Sequence, residues 1–262
     1  MPDLSQLLEV CRRAAQAGCR ILHDWRGKAQ VWEKGPADLV TQADLAAQKE
    51  IESIVVNLFP EHAFLGEESG KSQIDFRPGR LCWIVDPLDG TTNYVHGLPG
   101  YAVSIAVADG EQMLAGNVLD AMNGEDFWAQ RGGGAFLGET RLAASKVESL
   151  DRALVAVSLP PRVDRDSLEV HRLLEILMRA QAIRRLGSAA LNLAYVAAGR
   201  LDAYYATAVK PWDVAAGVLL VQEAGGVVRH VDGGPFSLAR PLFVAAANER
   251  LADELIAALA LD

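Results

Sequence analysis

Residues 81–101, LCWIVDPLDGTTNYVHGLPGY, constrain the fold more than any other stretch of the chain. Leu81 to Val85 is a short apolar run of β-favouring residues, the composition of a buried strand. Asp86, Pro87, Leu88, Asp89 and Gly90 follow, and the proline and glycine predict that the ladder ends on the acids. Two carboxylates are then held on a stiff turn at the carboxyl end of a strand, the edge where open α/β sheets place ligand sites. Taken alone, Asp-Pro-x-Asp-Gly fits equally well a turn closed by Asx hydrogen bonds.

Other acids shift that balance. Glu67 and Glu68 end the run Phe64-Leu65-Gly66, and Asp213 follows Pro211-Trp212. Carboxylates within about 4 Å of one another repel by roughly 4 kcal/mol per pair at an effective dielectric of 20. A cluster of them needs a cation or protons. Hard carboxylate oxygens without a His or Cys cluster point to Mg²⁺, which takes oxygen ligands and keeps several waters.

The rest of the chain reads as a mixed α/β body. Leu4, Leu7, Leu8, Cys11, Ala14, Ala15, Gly18, Ile21, Leu22 and Trp25 recur at helical spacing, so the chain opens with a long amphipathic helix closed by Gly27. Ala29 to Trp32 reads as a short strand, and Glu33 to Pro36 as a mobile turn. Thr41 is an N-cap for a second helix, with Asp44 in its first turn, where the helix dipole alone favours an acid. Ala102–Ala108, Gln112–Leu119 and Phe127–Ala129 read as an antiparallel meander. Its turns are Asp109-Gly110, Asn123-Gly124 and Gly132-Gly133-Gly134. The triple glycine lacks the following Lys-Ser or Lys-Thr of a phosphate loop, so it reads as a hairpin. After Leu150 strands and helices alternate, with a helix from Pro211 to Glu223 and a last one from Asn248. Residues 1–145 form an α+β half with the antiparallel sheet and most of the acids. Residues 146–262 form an α/β half that adds Asp213.

The 262 residues carry a formal charge of −9, which gives no electrostatic reason to bind nucleic acid. Cys11 and Cys19 lie about 12 Å apart along one helix by its rise and cannot bridge. With Cys82 in a buried strand, no disulfide framework is expected and a cytoplasmic location is the default. Met1-Pro2-Asp3-Leu4 lacks the pattern of a signal peptide, and no apolar run is long enough to span a membrane.

Trp83-Ile84-Val85-Asp86-Pro87-Leu88-Asp89-Gly90-Thr91-Thr92-Asn93 resembles the first signature of the inositol monophosphatase family. Trp212-Asp213-Val214-Ala215-Ala216-Gly217 with Glu223-Ala224-Gly225-Gly226 resembles its second, and Asp38-Leu39-Val40-Thr41 with Asp44 and Gly66-Glu67-Glu68-Ser69 match two earlier motifs. The resemblance implies a layered αβαβα sandwich, a homodimer and a lithium-sensitive, Mg²⁺-dependent hydrolase of small phosphate monoesters. One ion would be held by Glu67, Asp86 and the Leu88 carbonyl, a second by Asp86, Asp89 and Asp213, with Glu68 supporting the outer shell or a third, weaker ion. Asp89 and Asp213 would also face the substrate. Gly90 and Thr91 amides would cradle the phosphate, and Glu67 and Thr91 would hold the attacking water, with Asp44 orienting the Thr91 hydroxyl. Trp83 and Trp212 read as core or wall, and His96 as scaffold near the site.

Two departures bear on substrate. Where inositol-specific members carry a Glu before the Trp-Asp signature, this chain has Tyr204-Tyr205-Ala206, and Lys34 lies one position closer to the Pro-Ala-Asp run than in mammalian members. Thr92-Asn93-Tyr94 stands in place of the Lys-Glu of nucleotide bisphosphatases. Inositol monophosphate, histidinol phosphate, fructose bisphosphate, glycerol phosphate and bisphosphate nucleotides stay open as substrates. A haloacid-dehalogenase phosphatase would need a nucleophilic Asp where Pro87 stands, and a non-catalytic regulatory protein would not need the intact acidic set.

Overall fold

The structure is a computed structural model and describes residues 3–35, 38–69 and 77–260. In chain order the elements are α1 (Leu4–Trp25), β1 (Val31–Gly35), β2 (Asp38–Thr41), α2 (Gln42–Leu58), β3 (Ala63–Gly66), β4 (Leu81–Asp89) and α3 (Thr91–Val95). There follow β5 (Ala102–Asp109), β6 (Gln112–Asp120), β7 (Asp126–Gln130), β8 (Gly134–Leu137), β9 (Thr140–Arg141), β10 (Leu154–Ser158), α4 (Leu168–Arg179) and β11 (Ala182–Arg184). The last are α5 (Ala189–Ala197), β12 (Ala203–Ala206), α6 (Pro211–Glu223), β13 (Val227–His230), β14 (Phe243–Ala246) and α7 (Glu249–Leu259).

Side-chain alternation along the strands builds the layers. In β4 and β5, Trp83, Val85, Val103, Ile105 and Val107 pack with the apolar faces of α1 and α2, including Leu7, Cys11, Leu22, Ile51 and Val55. Their neighbours Cys82, Ile84, Ala102 and Ala106 face the other way, onto α5 and α6. The same two helices cover Ala156, Tyr204 and Ala245 of the second sheet, whose alternate residues Val155, Tyr205 and Val244 meet Ile176 of α4 and Leu251 and Leu255 of α7. The period of two thus gives each sheet two buried faces, and the result is an αβαβα sandwich. The first sheet runs β3-β4-β5-β6-β7-β8-β9 and the second β11-β10-β12-β14-β13, with β1 and β2 a separate pair.

Helix α6 lies between the sheets, and glycines let it come close. A Cβ on Gly116 of β6 would stand 3.0 Å from Ala216 Cα, and one on Gly217 would stand 2.5 Å from Leu193 Cβ of α5. These contacts fix the height of Asp213 at the start of α6.

Two expectations from the sequence give way. Strand β4 does not end before the acids but continues through Asp89, with Asp86 opposite Ser104 and Asp89 opposite Ala102. Three steps on β4 match two on β5, a bulge that absorbs Pro87 where no ladder donor is required. Residues 86 and 89 would point to opposite faces of a regular strand; the bulge removes that opposition. Glu33 to Gly35 belong to strand β1, paired with β2, and are not a turn, while Pro36 lies outside the described residues. The short strands β8 and β9 had no clear sequence signal. Cys11, Cys19 and Cys82 are buried free thiols. Among the described residues no helix is long and apolar enough to cross a membrane.

Replacing Gly217 with alanine adds a methyl where Leu193 has no room. Urea denaturation of Gly217→Ala is expected to show a loss of about 1–3 kcal/mol, the usual cost of overpacking, despite alanine's better helix propensity. Unchanged stability would mean that the α5–α6 approach is not limiting.

Candidate active site

Asp86 and Asp89 stand on either side of the β4 bulge and are both buried. Asp86 Oδ1 accepts from the Leu88 amide at 3.0 Å, an Asx turn that closes the bulge on itself. Asp89 Oδ2 accepts from Ser188 Oγ at 2.5 Å and from the Ala190 amide at 2.7 Å. Ser188 also caps α5 by accepting from the Leu191 amide at 3.1 Å, so one residue joins the first turn of α5 to the end of β4.

Asp213 arrives from the opposite sheet's side. Its Oδ2 accepts from the Lys210 amide at 2.7 Å in the first turn of α6, as a capping acid does. The Trp212 carbonyl accepts from Ser104 Oγ at 3.4 Å, and Ser104 is the register partner of Asp86. The strand pairing therefore brings Asp213 toward Asp86, near enough for its charge to raise the Asp86 carboxyl. The helix-cap reading of Asp213 holds, and the same carboxyl also lies against the acids: one oxygen caps and the other side faces Asp86 and Asp89.

Glu67 and Glu68 open a single 3-10 turn after β3. Gln48 of α2 shapes that turn, its Oε1 accepting from the Glu68 amide at 2.8 Å, and a Cβ on Gly66 would strike the Gln48 amide. Lys34 Nζ donates to Glu67 Oε1 at 2.9 Å and also to Glu68 Oε1. Asp44 is locked in a capping box with Thr41, whose amide and hydroxyl donate to Asp44 Oδ2 at 2.9 and 2.5 Å. The Thr91 hydroxyl lies 3.3 Å from Asp44 Oδ1 and 3.0 Å from the Leu88 carbonyl oxygen, and its single proton serves one of them at a time. Gly90 sits at φ 94° with Gly100 O only 2.8 Å from where a Cβ would be, so glycine is required both for the turn and for the approach.

Electrostatics mark the cluster as unfinished without a cation. Burial, then the charges of Glu67, Asp89 and Asp213, hold Asp86 well above the usual carboxylate range. Burial and then Asp89 do the same to Asp213. Burial pushes Asp89 up to about 6 against the pull of its Ser188 and Ala190 hydrogen bonds, and Asp44 to about 6 against those from Thr41. Glu68 rises to about 7, chiefly by burial and despite Lys34. Carboxylates that raise one another in this way offer the hard oxygen donors that a divalent ion such as Mg²⁺ takes. Each of Asp86, Asp89 and Asp213 has one oxygen tied to a protein donor, which orients the other. Among the described residues no three Asp, Glu, His or Cys side chains stand, as placed, in a group that could hold a metal ion. The set fits an ion that recruits carboxylates from separate walls and keeps water.

Of the other residues singled out, Trp83 is core, its Nε1 donating to His62 Nδ1 at 3.1 Å, and Trp212 packs at the edge of the α5–α6 cluster. His96 ends α3 and is exposed. Sequence reasoning passed over Ser188, Gln48 and Ser104. Ser188 alone carried a signal, a cap residue before an apolar helix.

The chain matches the model of the Inositol monophosphatase family over residues 3–261. It is 36% identical over 256 residues to an inositol-1-monophosphatase of Caulobacter vibrioides, covering 95% of this chain and 98% of that protein. It is 39% identical over 236 residues to the Nus factor SuhB of Pseudomonas aeruginosa, covering 88% and 87%. The crystal structure of the extragenic suppressor protein suhB from Bartonella henselae superposes with a TM-score of 0.89 at 38% identity, covering 97% of this chain and 98% of that one.

The raised carboxylates give a signed prediction for the metal-free protein. A carboxyl whose folded pKa exceeds its unfolded value lets the folded state bind more protons, so stability falls as pH rises from about 4 through about 6, the window set by Asp89 and Asp44. Mg²⁺ should therefore raise the Tm more at pH 7.5 than at pH 5, read by thermal denaturation with Mg²⁺ or EDTA. An equal increment at both would contradict the cluster as the binding site.

Proposed function

The chain belongs to the inositol monophosphatase family, and on that premise we propose that it is a Mg²⁺-dependent phosphatase hydrolysing the phosphate monoester of a small polyol or sugar. The observation that carries this reading is the meeting of Asp86 and Asp213, from different sheets' surroundings, beside Asp89. Residues distant in sequence have no structural need to gather buried negative charge.

In this reading Glu67, Asp86 and the Leu88 carbonyl hold one ion, and Asp86, Asp89 and Asp213 a second. Bound Mg²⁺ supplies positive charge to the phosphoryl oxygens and to the leaving alkoxide. The protein's own groups do the rest. Thr91 donates its hydroxyl hydrogen bond to Asp44 Oδ1 and keeps its proton, which leaves an Oγ1 lone pair to accept a hydrogen bond from the attacking water. Glu67 accepts the water's other proton and aims its oxygen at phosphorus. Asp44 does this only when ionised, so it works above the pH of about 6 at which it titrates. Gly90, left-handed, turns the first amides of α3 toward the site, where they lack helical acceptors and donate to phosphate oxygens. No phosphoenzyme forms, since no side chain attacks.

The alcohol part of the substrate meets a chain-specific wall. Ala206 is buried and bears no acceptor, while on the neighbouring strand Ser158, its register partner, accepts from Tyr204 OH at 2.8 Å. A ring hydroxyl finds no carboxylate at position 206, so selection among polyols is relaxed. Residues 1–145 supply most ligands and residues 146–262 supply Asp213, in a cytoplasmic homodimer that lithium inhibits.

A phosphate-release panel tests this. Inositol monophosphate, glycerol phosphate, histidinol phosphate, fructose 1,6-bisphosphate and a bisphosphate nucleotide are assayed with Mg²⁺ or EDTA. Metal-dependent release from polyol or sugar monoesters is expected. Asp86→Asn and Asp213→Asn should each lose on the order of a thousandfold in kcat/KM, the several kcal/mol that a metal clamp supplies. Circular dichroism of both variants should match the parent. Full activity in either variant, or release unaffected by EDTA, would overturn the proposal.

A further inference from the structure

Lys34 is the cation already present in the acidic corner. Its ammonium contacts Glu67 and Glu68, and the side chains of the three are 28%, 21% and 7% exposed. Burial pulls the ammonium's pKa down, but Glu67 and Glu68 outweigh it and hold it above its ordinary range. The backbone is built to deliver this group. In the β1–β2 ladder Glu33 pairs with Leu39 and Gly35 with Asp38, so Lys34 falls in the register shift between them and has no ladder partner. Such a shift re-aims a side chain. Strands β1 and β2 form their own sheet, apart from both large ones, and Val31 to Glu33 are exposed.

Glu67 thus carries two assignments. It accepts from the Lys34 ammonium, and in the function proposed above it is a ligand of a divalent ion. A tethered +1 charge and a +2 ion on one carboxylate repel, and the oxygen bonded to the ammonium is not available to metal.

We infer that Lys34 is a built-in competitor for the divalent ion at Glu67, neutralising the acidic turn in the metal-free protein and leaving it when the ion loads. This inference rests on the metal site of the preceding section. Loading exchanges a +1 for a +2 charge at the turn and releases the ammonium, on its separate two-stranded sheet, toward solvent or an incoming anion. Lys34 is a positioning residue: it sets how tightly the ion binds without touching the reacting atoms.

The test uses the intact protein. Acetylation of Lys34 by an amine-reactive ester is followed by peptide mass spectrometry in EDTA and in Mg²⁺, alongside calorimetric titration with Mg²⁺. Lys34 should acetylate several-fold faster in saturating Mg²⁺, with Lys28 and Lys146 unchanged. Lys34→Met should bind Mg²⁺ about one-and-a-half- to fivefold more tightly, the range expected from losing one partly exposed ion pair. That gain should persist at 1 M KCl, where a field effect is screened beyond about 3 Å. Mg²⁺ binding with no change at Lys34, or a variant that binds no tighter, would overturn the competition and leave the phosphatase reading standing. No calorimetric Mg²⁺ binding in the parent protein would overturn both.

Discussion

The repulsion between buried carboxylates is the constraint to which the rest of this structure answers. Asp86 and Asp89 are buried and Asp213 is half-buried, and each is held in place by a separate hydrogen bond to the backbone or to Ser188. An arrangement of this kind opposes folding unless protons or a cation complete it. The chain carries that opposition at the carboxyl end of β4 and surrounds it with packing that holds the acids in position.

The packing argument and the chemical one meet in α6. The helix is pressed between β6 and α5 through Gly116 and Gly217, and its first turn is tied to Ser104, opposite Asp86. A helix held along its length cannot move its first turn away from β4. Ser188 plays the matching part for α5, capping the helix with the same oxygen that it gives to Asp89. Capping groups, which serve helix ends in any protein, here set the distances between ligands.

Much of this was legible in the sequence. Periodicity found α1, and the strand runs and glycine turns found the meander from β5 to β7, because these elements rest on local patterns that tertiary context does not reverse. The acidic set was legible because the residue types and their motifs are rare in combination. What escaped depended on register. Pro87 signals an end to pairing, yet a bulge let β4 continue, and only the partner strand determines that outcome. Lys34 in Glu33-Lys34-Gly35 read as turn because its partner strand β2 is short and the pair stands apart from the main sheets. Ser104 and Gln48 act through partners 108 and 20 residues away, a separation that no local pattern carries.

The most direct measurement is crystallographic: anomalous diffraction from crystals soaked in Mn²⁺, which takes the same oxygen ligands as Mg²⁺. The account requires anomalous peaks in contact with Asp86, Asp89 and Asp213. Crystals that bind Mn²⁺ only elsewhere, with none against Asp86 and Asp213, would contradict it.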